Sequence, residues 1–438
     1  MPGGNRLHVV IAGGGVAALE TLLALRTLAG HLIEVTLVSA TTEFVYRPVT
    51  VAEAFDRAKA RAYDLQEILA DQGGGEFIHD TLADVETRGR IAVTAGGRRI
   101  SFDALVVTTG AVPGIPFPGA FTFRGRDDVG ALRGLLHDLT SGRAGSVALA
   151  LPSARMWPLP LYELTLMTAA YRNEHGASDV KVTLVTPEEA PLELFGPAAT
   201  DAVCSLLEAR GVTVRSSSLP AVVKGRTLLL AGGAELFADR VISLPVLAGP
   251  RLPGLPHDQH GFIPVDQFGR VADAENVFAA GDVTAFPLKQ GGLAAQQADA
   301  VAGAIAAQAG AAVTPEPFRP VLRGLLLTGG APLYLRSEPR RLGREATVAI
   351  ERPPCAGPRA TRRRLPGRRC GGRRRRSRAD TWPRTSRPRG RRRSAQACSR
   401  TASRFPARAC RTKSMWTRSR SRCCSPTATR AGATIRLL

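Results

Sequence analysis

Cysteine is almost missing from the first 350 residues: of the seven in the chain, only Cys204 lies before residue 350. That scarcity excludes a disulfide framework, a cysteine-ligated metal centre and a redox-active cysteine pair from this stretch. No run reaches the roughly 18 apolar residues that a membrane-spanning helix needs. A signal-peptide pattern is also lacking, because the first apolar run leads straight into glycines. Few cysteines and no leader give a cytoplasmic location as the expectation, with association at the inner face of the membrane as its variant. The seven histidines are dispersed without ligand spacing; His257 and His260 read as polar groups of a Pro/Gly loop, and no metal is expected.

Acidic residues are scarce at one end only. The chain holds 59 Lys+Arg and 37 Asp+Glu, a net of +22, but 28 of the basic residues and 2 of the acidic ones fall in 351–438. Residues 1–350 therefore hold 31 and 35, a net of −4, which is an ordinary globular balance. The last 88 residues lack apolar periodicity and cannot bury a core. Three readings of this tail compete: an Arg-rich nucleic-acid arm, a cysteine module, or the wrong reading frame of a GC-rich gene. The cysteine spacings match no ligand pattern, with Cys423 and Cys424 adjacent. Codons for Arg369 to Pro383 can be chosen so that one nucleotide earlier in phase they read PLWWPPAKIAGRYLA, a turn leading into an amphipathic helix. The tail is read as out of frame and disordered, with the shift near 338–368. The nucleic-acid reading, which rests on the tail alone, is set aside.

What is present is a pair of motifs about 270 residues apart. Leu7 to Ala12 is apolar and β-branched, a buried parallel strand. Gly13-Gly14-Gly15-Val16-Ala17-Ala18 follows, then a helix from about Val16 to Ala29 and a second strand, Ile33 to Val38. In this G-x-G-x-x-A turn Gly13 makes the bend, Gly15 lets the backbone approach a diphosphate, and Ala18 keeps the helix close to the strand. The helix N-terminus then faces the anion. The second strand ends in Ser39, where such sites usually place the Asp or Glu that holds the ribose, so the ribose contact stays open; Glu43 is the alternative.

The second motif is Asn276 to Asp282, followed by Lys289-Gln290-Gly291-Gly292. A carboxylate at Asp282 can bind the hydroxyl chain of a flavin, and with the glycine turn it points to FAD. Taken alone, Asp282 reads equally as a helix N-cap or turn aspartate. Lys289 reads equally as a solvated loop lysine.

Between the motifs lies a helix near 63–71, short strands at Phe77 to His79, Ile91 to Thr94 and Arg99 to Phe102, and a buried strand ending at Thr109-Gly110. Phe44 to Pro48 reads as an aromatic loop. A Pro-rich crossover, Pro113 to Pro118, marks a boundary. A second strand–helix series follows: Ser146 to Leu151, Leu161 to Tyr171, Val180 to Val185, Ala198 to Arg210, Val212 to Arg215. The expected fold is α/β, with two Rossmann-like (FAD/NAD(P)-binding) domains, the first discontinuous, followed by a disordered non-native tail. The expected divisions are 1–112 and 256–309 for the first domain, 113–255 for the second, 310–350 for the start of a C-terminal segment, and 351–438 for the tail.

Over about residues 5–337 the chain resembles the two-dinucleotide-binding-domain FAD/NAD(P)-type oxidoreductases, nearest the branch of type II NADH dehydrogenases and sulfide:quinone oxidoreductases. The residues carrying this are Gly13 to Ala18, Phe44-x-Tyr46-Arg47-Pro48, Asp103 to Gly110, and Gly281-Asp282 with Lys289-Gln290-Gly291. The resemblance implies that Asp282 holds the ribityl chain and that Lys289, Gln290 and Gly291 approach the pyrimidine end of the ring. Thr109 and Gly110 would pack along the diphosphate–flavin region, and Tyr46 and Arg47 would lie near the cofactor at an end that spacing does not specify.

The strand that opens the second domain, Ser146 to Leu151, runs on into Leu151 to Pro160 with no glycine and three prolines, and proline has no N–H for a phosphate. The usual NAD(P)H diphosphate site is expected to be missing or remodelled, which leaves binding of NAD(P)H open. That branch resembles this stretch in Pro158-x-Pro160-x-Tyr162-Glu163, which otherwise reads as the first turn of a helix. Cys204 lies in an amphipathic helix and reads as a small buried hydrophobe. The expected function is an FAD-dependent oxidoreductase, with catalytic residues unassigned, a small-molecule electron donor, and a quinone or other small acceptor met at a membrane surface. A homodimer is a further expectation. The alternative is a flavin-binding protein without turnover.

Overall fold

The computed structural model describes residues 6–338 and 347–350; the reading of the tail lies outside them. In chain order the main elements begin with β1 (Leu7–Ala12), α1 (Val16–Ala29), β2 (Ile33–Ser39), α2 (Thr50–Glu53), α3 (Leu65–Asp71), β3 (Glu76–His79) and β4 (Ala104–Val107). There follow β5 (Phe121–Thr122), α4 (Val129–Thr140), β6 (Ser146–Ala150), α5 (Leu159–Glu174), β7 (Lys181–Val185), α6 (Pro197–Ala209), β8 (Val212–Arg215) and β9 (Arg240–Ser243). The last are β10 (Val277–Ala279), α7 (Gly291–Gln308), β11 (Leu322–Leu326) and β12 (Leu333–Ser337).

Two five-stranded, all-parallel sheets result. The first runs β10-β4-β1-β2-β3, the second β5-β9-β6-β7-β8. Parallel neighbours need long crossovers, which the helices provide. The strands are apolar throughout because both faces are covered: Val9 to Ala12 and Ala104 to Val107 are fully buried. β10 joins the first sheet after the chain has completed the second, so the first unit is discontinuous. An antiparallel ribbon, Val112–Gly114 against Val246–Ala248, accompanies the passage between the sheets.

α1 and α7 pack against each other over the first sheet. α1 buries Leu19, Leu22 and Leu25, while α7 presents alanines, with Ala294, Ala298, Val301 and Ile305 buried. Small side chains let the two helices approach closely.

Several elements depart from the sequence reading. Glu43–Val45 is not loop but a short strand paired with Ala62–Asp64, and Arg47–Val49 is a 3₁₀ turn with Pro48 in its first positions. The strand forms because a partner segment returns to it, which local sequence does not show. α4 is unanticipated, although Leu132, Leu135, Leu136 and Leu139 recur at helical spacing and are all buried. No helix among the described residues is long and apolar enough to cross a membrane.

Candidate functional site

The C-terminal ends of β1, β4 and β10 meet at one edge of the first sheet. Gly13 has φ +136°, and a Cβ there would lie 2.2 Å from the Thr108 carbonyl oxygen. Its N–H donates to Val38 O at 2.7 Å, which fixes the bend. A Cβ on Gly14 would lie 2.4 Å from Ser39 Oγ, whereas one on Gly15 would meet nothing within 4 Å. Gly13 and Gly14 are thus demanded by packing, and Gly15 faces open space. Gly15 precedes α1, and no side chain caps that helix. The first N–H groups of a 14-residue helix are left facing the opening, the arrangement that receives anions. Val16 is half-buried, and Ala17 and Ala18 are buried behind the turn.

Ser39 ends β2 beneath this turn. It is 2% exposed, and its Oγ accepts from the Thr41 N–H at 3.2 Å. Glu43 is exposed on the neighbouring short strand.

The second motif sits against the first. Gly281 has φ +82°, and a Cβ there would lie 2.9 Å from Ala17 Cβ and 3.5 Å from Ala294 Cβ. A Cβ on Gly291 would lie 3.8 Å from Val16 Cγ2, so the starts of α1 and α7 are adjacent. The Gly281 N–H donates to Gln297 Oε1 at 2.7 Å, and Gln297 Nε2 reaches Thr284 Oγ1 at 3.4 Å. Gln297, 6% exposed, therefore holds the Gly-Asp turn in shape. The sequence reading passes over it; the signal was a polar residue on the buried face of an alanine-rich helix.

Asp282 makes no capping bond, and among the described residues no hydrogen bond to its carboxylate is formed. The N-cap role is not what its side chain does. Burial pushes its pKa up, while the charges of Lys289 and then Arg47 pull it down. Lys289 is not solvated: its Nζ donates to Thr284 O and, at 2.8 Å, to Phe286 O, and lies 3.7 Å from the centre of the Phe262 ring. Burial lowers its pKa to about 8 against the pull of Asp282 and Asp258. Gln290 is the N-cap of α7; its Oε1 accepts from the Leu293 N–H at 2.8 Å and its Nε2 donates to Arg323 O at 3.1 Å.

On β4's side, Thr108 gives both its N–H and its hydroxyl to Ala12 O, at 2.7 and 2.9 Å. Thr109 Oγ1 is buried without a partner among the described residues, and Gly110 has φ +78°. An orphaned hydroxyl, a carboxylate with no donor and an uncapped helix thus stand together at one edge. A dinucleotide bearing a polyhydroxyl chain fits this donor and acceptor set, since it supplies the anion, the hydroxyls and the polar contact that these groups lack.

Glu163, on α5, is a further group that the sequence reading leaves as a helix-turn residue. It is 5% exposed, its Oε1 accepts from the Leu327 N–H at 3.1 Å, and burial raises its pKa to about 8. Tyr46 is raised by burial and by the charge of Glu163. Tyr46 thus feels the charge of Glu163, and Arg47 that of Asp282.

The corresponding edge of the second sheet differs. After β6 the loop 151–158 leads into α5, where Pro158 and Pro160 have no N–H and the Leu161 N–H donates to Pro158 O at 3.0 Å. Tyr162, fully buried, donates its hydroxyl to Glu188 Oε2 at 2.5 Å, and Thr186 Oγ1 donates to the same oxygen at 2.8 Å. Burial raises Glu188 to about 7. Trp157 packs edge-on to Phe195, ring centres 5.7 Å apart. Cys204 is half-buried on α6, its thiol pushed up by burial and by the charges of Asp201 and Glu208, the reverse of an activated nucleophile. Among the described residues no group of three or more His, Cys, Asp or Glu could hold a metal ion.

Residues 7–307 match the family described as pyridine nucleotide-disulphide oxidoreductase. A curated relative, oxidoreductase ptaL of Pestalotiopsis fici, is 27% identical over 296 residues, covering 63% of this chain and 77% of its own. The sulfide:quinone oxidoreductase of the hyperthermophilic bacterium Aquifex aeolicus shares the fold at a TM-score of 0.72 and 21% identity, over 79% of this chain and 87% of that one. NDH2 from Plasmodium falciparum, solved with NADH, aligns at a TM-score of 0.52 and 15% identity, over 64% of this chain and 65% of its own.

Proposed function

The chain belongs to the pyridine nucleotide-disulphide oxidoreductase family, and from that premise we propose that it is an FAD-dependent oxidoreductase acting on a small donor and a small acceptor. One observation carries the reading: the two turns that a flavin dinucleotide needs, 270 residues apart in sequence, touch through Gly281 and Ala17. Bound FAD would supply the two-electron chemistry. The protein's part is placement and proton handling. Backbone N–H groups beyond Gly13, from Gly15 through Val16, Ala17 and Ala18, receive the diphosphate, with Thr109 and Gly110 alongside. Ser39 offers the ribose a hydroxyl instead of a carboxylate. Asp282 accepts from the ribityl hydroxyls, with Arg47 close enough to steady its charge. Lys289, Gln290 and Gly291 form the wall at the start of α7. Glu163 holds a proton at neutral pH beside Tyr46, and can give or take one there.

The second edge supports a donor that does not anchor as NAD(P)H does. A nicotinamide dinucleotide would need free N–H groups at the start of α5, and the prolines leave none at 158 and 160. A quinone is the acceptor suggested by the sequence resemblance. The full chain, purified and heat-released, should yield FAD at one per chain. A colourless protein that stays colourless after incubation with FAD sinks the reading. The remodelled second edge also favours a second reading, a flavin-binding protein without turnover. Anaerobic mixing with NADH, NADPH, sulfide, thiols and quinols separates the two, since any donor that reduces the flavin at a useful rate excludes it.

A further inference from the structure

An open cleft of about 610 Å³ lies between the Glu53–Lys59 segment, which lines it through Glu53 and residues 56–59, and the segment running into α4, which lines it through Arg126, Val129, Gly130 and Arg133; none of these belongs to the candidate flavin site. Four cations face it, Arg57, Lys59, Arg126 and Arg133, against two carboxylates, Glu53 and Asp56. The carboxylates are already engaged. Glu53 is 8% exposed and accepts the Ala60 N–H at 2.8 Å. Asp56 accepts from Arg133 Nη2 at 2.5 Å, and the same nitrogen donates to Glu53 O at 2.7 Å. Arg57 is paired with Glu174. These bonds brace the walls. Lys59 and Arg126 are exposed, stand on different segments of the rim, and form no ion pair among the described residues. The remaining lining is Ala58, Val129 and Gly130, and a Cβ on Gly130 would meet nothing within 4 Å.

The size falls within the roughly 300–1,000 Å³ of small-molecule sites, but no aromatic ring lines it, and its apolar surface comes from Ala58, Val129 and the stems of charged side chains. We propose that this cleft binds a small polyanion, its clustered anionic oxygens, of phosphate or polycarboxylate, held between Lys59 and Arg126. The braced Arg133 adds its remaining N–H donors, since a guanidinium has five and the bonds to Glu53 and Asp56 use only one nitrogen.

The test is calorimetric titration of the full chain, with FAD in excess so that the start of α1 is not the site being measured. Pyrophosphate and citrate are the two probes, and the stronger of them distinguishes a phosphate from a polycarboxylate source. Saturable binding in the millimolar range or tighter is expected for at least one. The double variant Lys59→Ala, Arg126→Ala should weaken it by at least about tenfold, because two charge-assisted contacts are lost. A control pair, Arg88→Ala with Lys224→Ala, removes two exposed cations outside the cleft and should leave the affinity unchanged. The proposal fails if neither probe saturates, if the cleft variant binds as the parent does, or if the control pair weakens binding equally, which would mark diffuse charge attraction.

Discussion

Asp282 is a carboxylate kept half-buried with two cations in range and, among the described residues, no group donating a hydrogen bond to it. Such a group is poorly satisfied until hydroxyls arrive. Asp282→Ala should therefore retain the fold, because Val277 to Ala279 stay packed in the sheet, and lose cofactor affinity. Hydrogen bonds to a charged group are worth roughly 1.5–3 kcal/mol, so the loss should be about tenfold to a hundredfold in Kd. Fluorescence titration of FAD into the flavin-free variant measures it; full affinity would remove Asp282 from the site. Lys289 is not the free loop lysine that local sequence allows: its ammonium is tied to two carbonyls and an aromatic ring.

Among the elements, the pairing of α1 with α7 decides whether the site exists. Gly281 lies where the two helices and the Gly-Asp turn converge. Alanine there would adopt φ +82° and bring its Cβ to 2.9 Å from Ala17. A left-handed conformation costs roughly 1–2 kcal/mol for a residue with a Cβ, and overpacking adds typically 1–3 kcal/mol. Gly281→Ala is expected to lower the urea midpoint of the flavin-free protein and to lose flavin as well. A variant with unchanged midpoint would show that the contact gives way easily. The start of α5 illustrates the opposite outcome, a helix end of the same architecture whose prolines withdraw the donors that α1 keeps.

Among the described residues several carboxyls are raised by burial, Glu163 to about 8 and Glu188 to about 7 against an ordinary value of 4.5, with Glu20, Asp282 and Asp299 shifted the same way. Between pH 4.5 and 8 the folded chain holds protons that the unfolded chain has released. Unfolding then releases protons, so stability falls as pH rises through that window. Lys289 works in the other direction, but only above about 8. Denaturation between pH 5 and 8 should show this decline, and Glu163→Gln should flatten it by roughly 3–4 kcal/mol. An unchanged slope in the variant would mean that Glu163 titrates normally. The net charge of +22 says little about this body, since its excess lies in 351–438.

Local sequence determined a good deal by itself. Buried β-branched runs followed by glycine turns are strongly patterned, so β1, α1, β2 and most of the later strands and helices can be read within a few residues of their limits. The glycine turn and the Gly-Asp turn declare their chemistry because only particular residues tolerate those backbone shapes. Packing decided the rest. Glu43–Val45 is a strand because Ala62–Asp64 returns to it. Gln297 matters because its helix places it under Gly281, and Glu163 because the Leu327 segment closes over it. Gln290 is spent on capping α7, and Tyr162 occupies Glu188. Each depends on which distant segment lies opposite, and a one-dimensional pattern holds no distances between residues far apart in the chain.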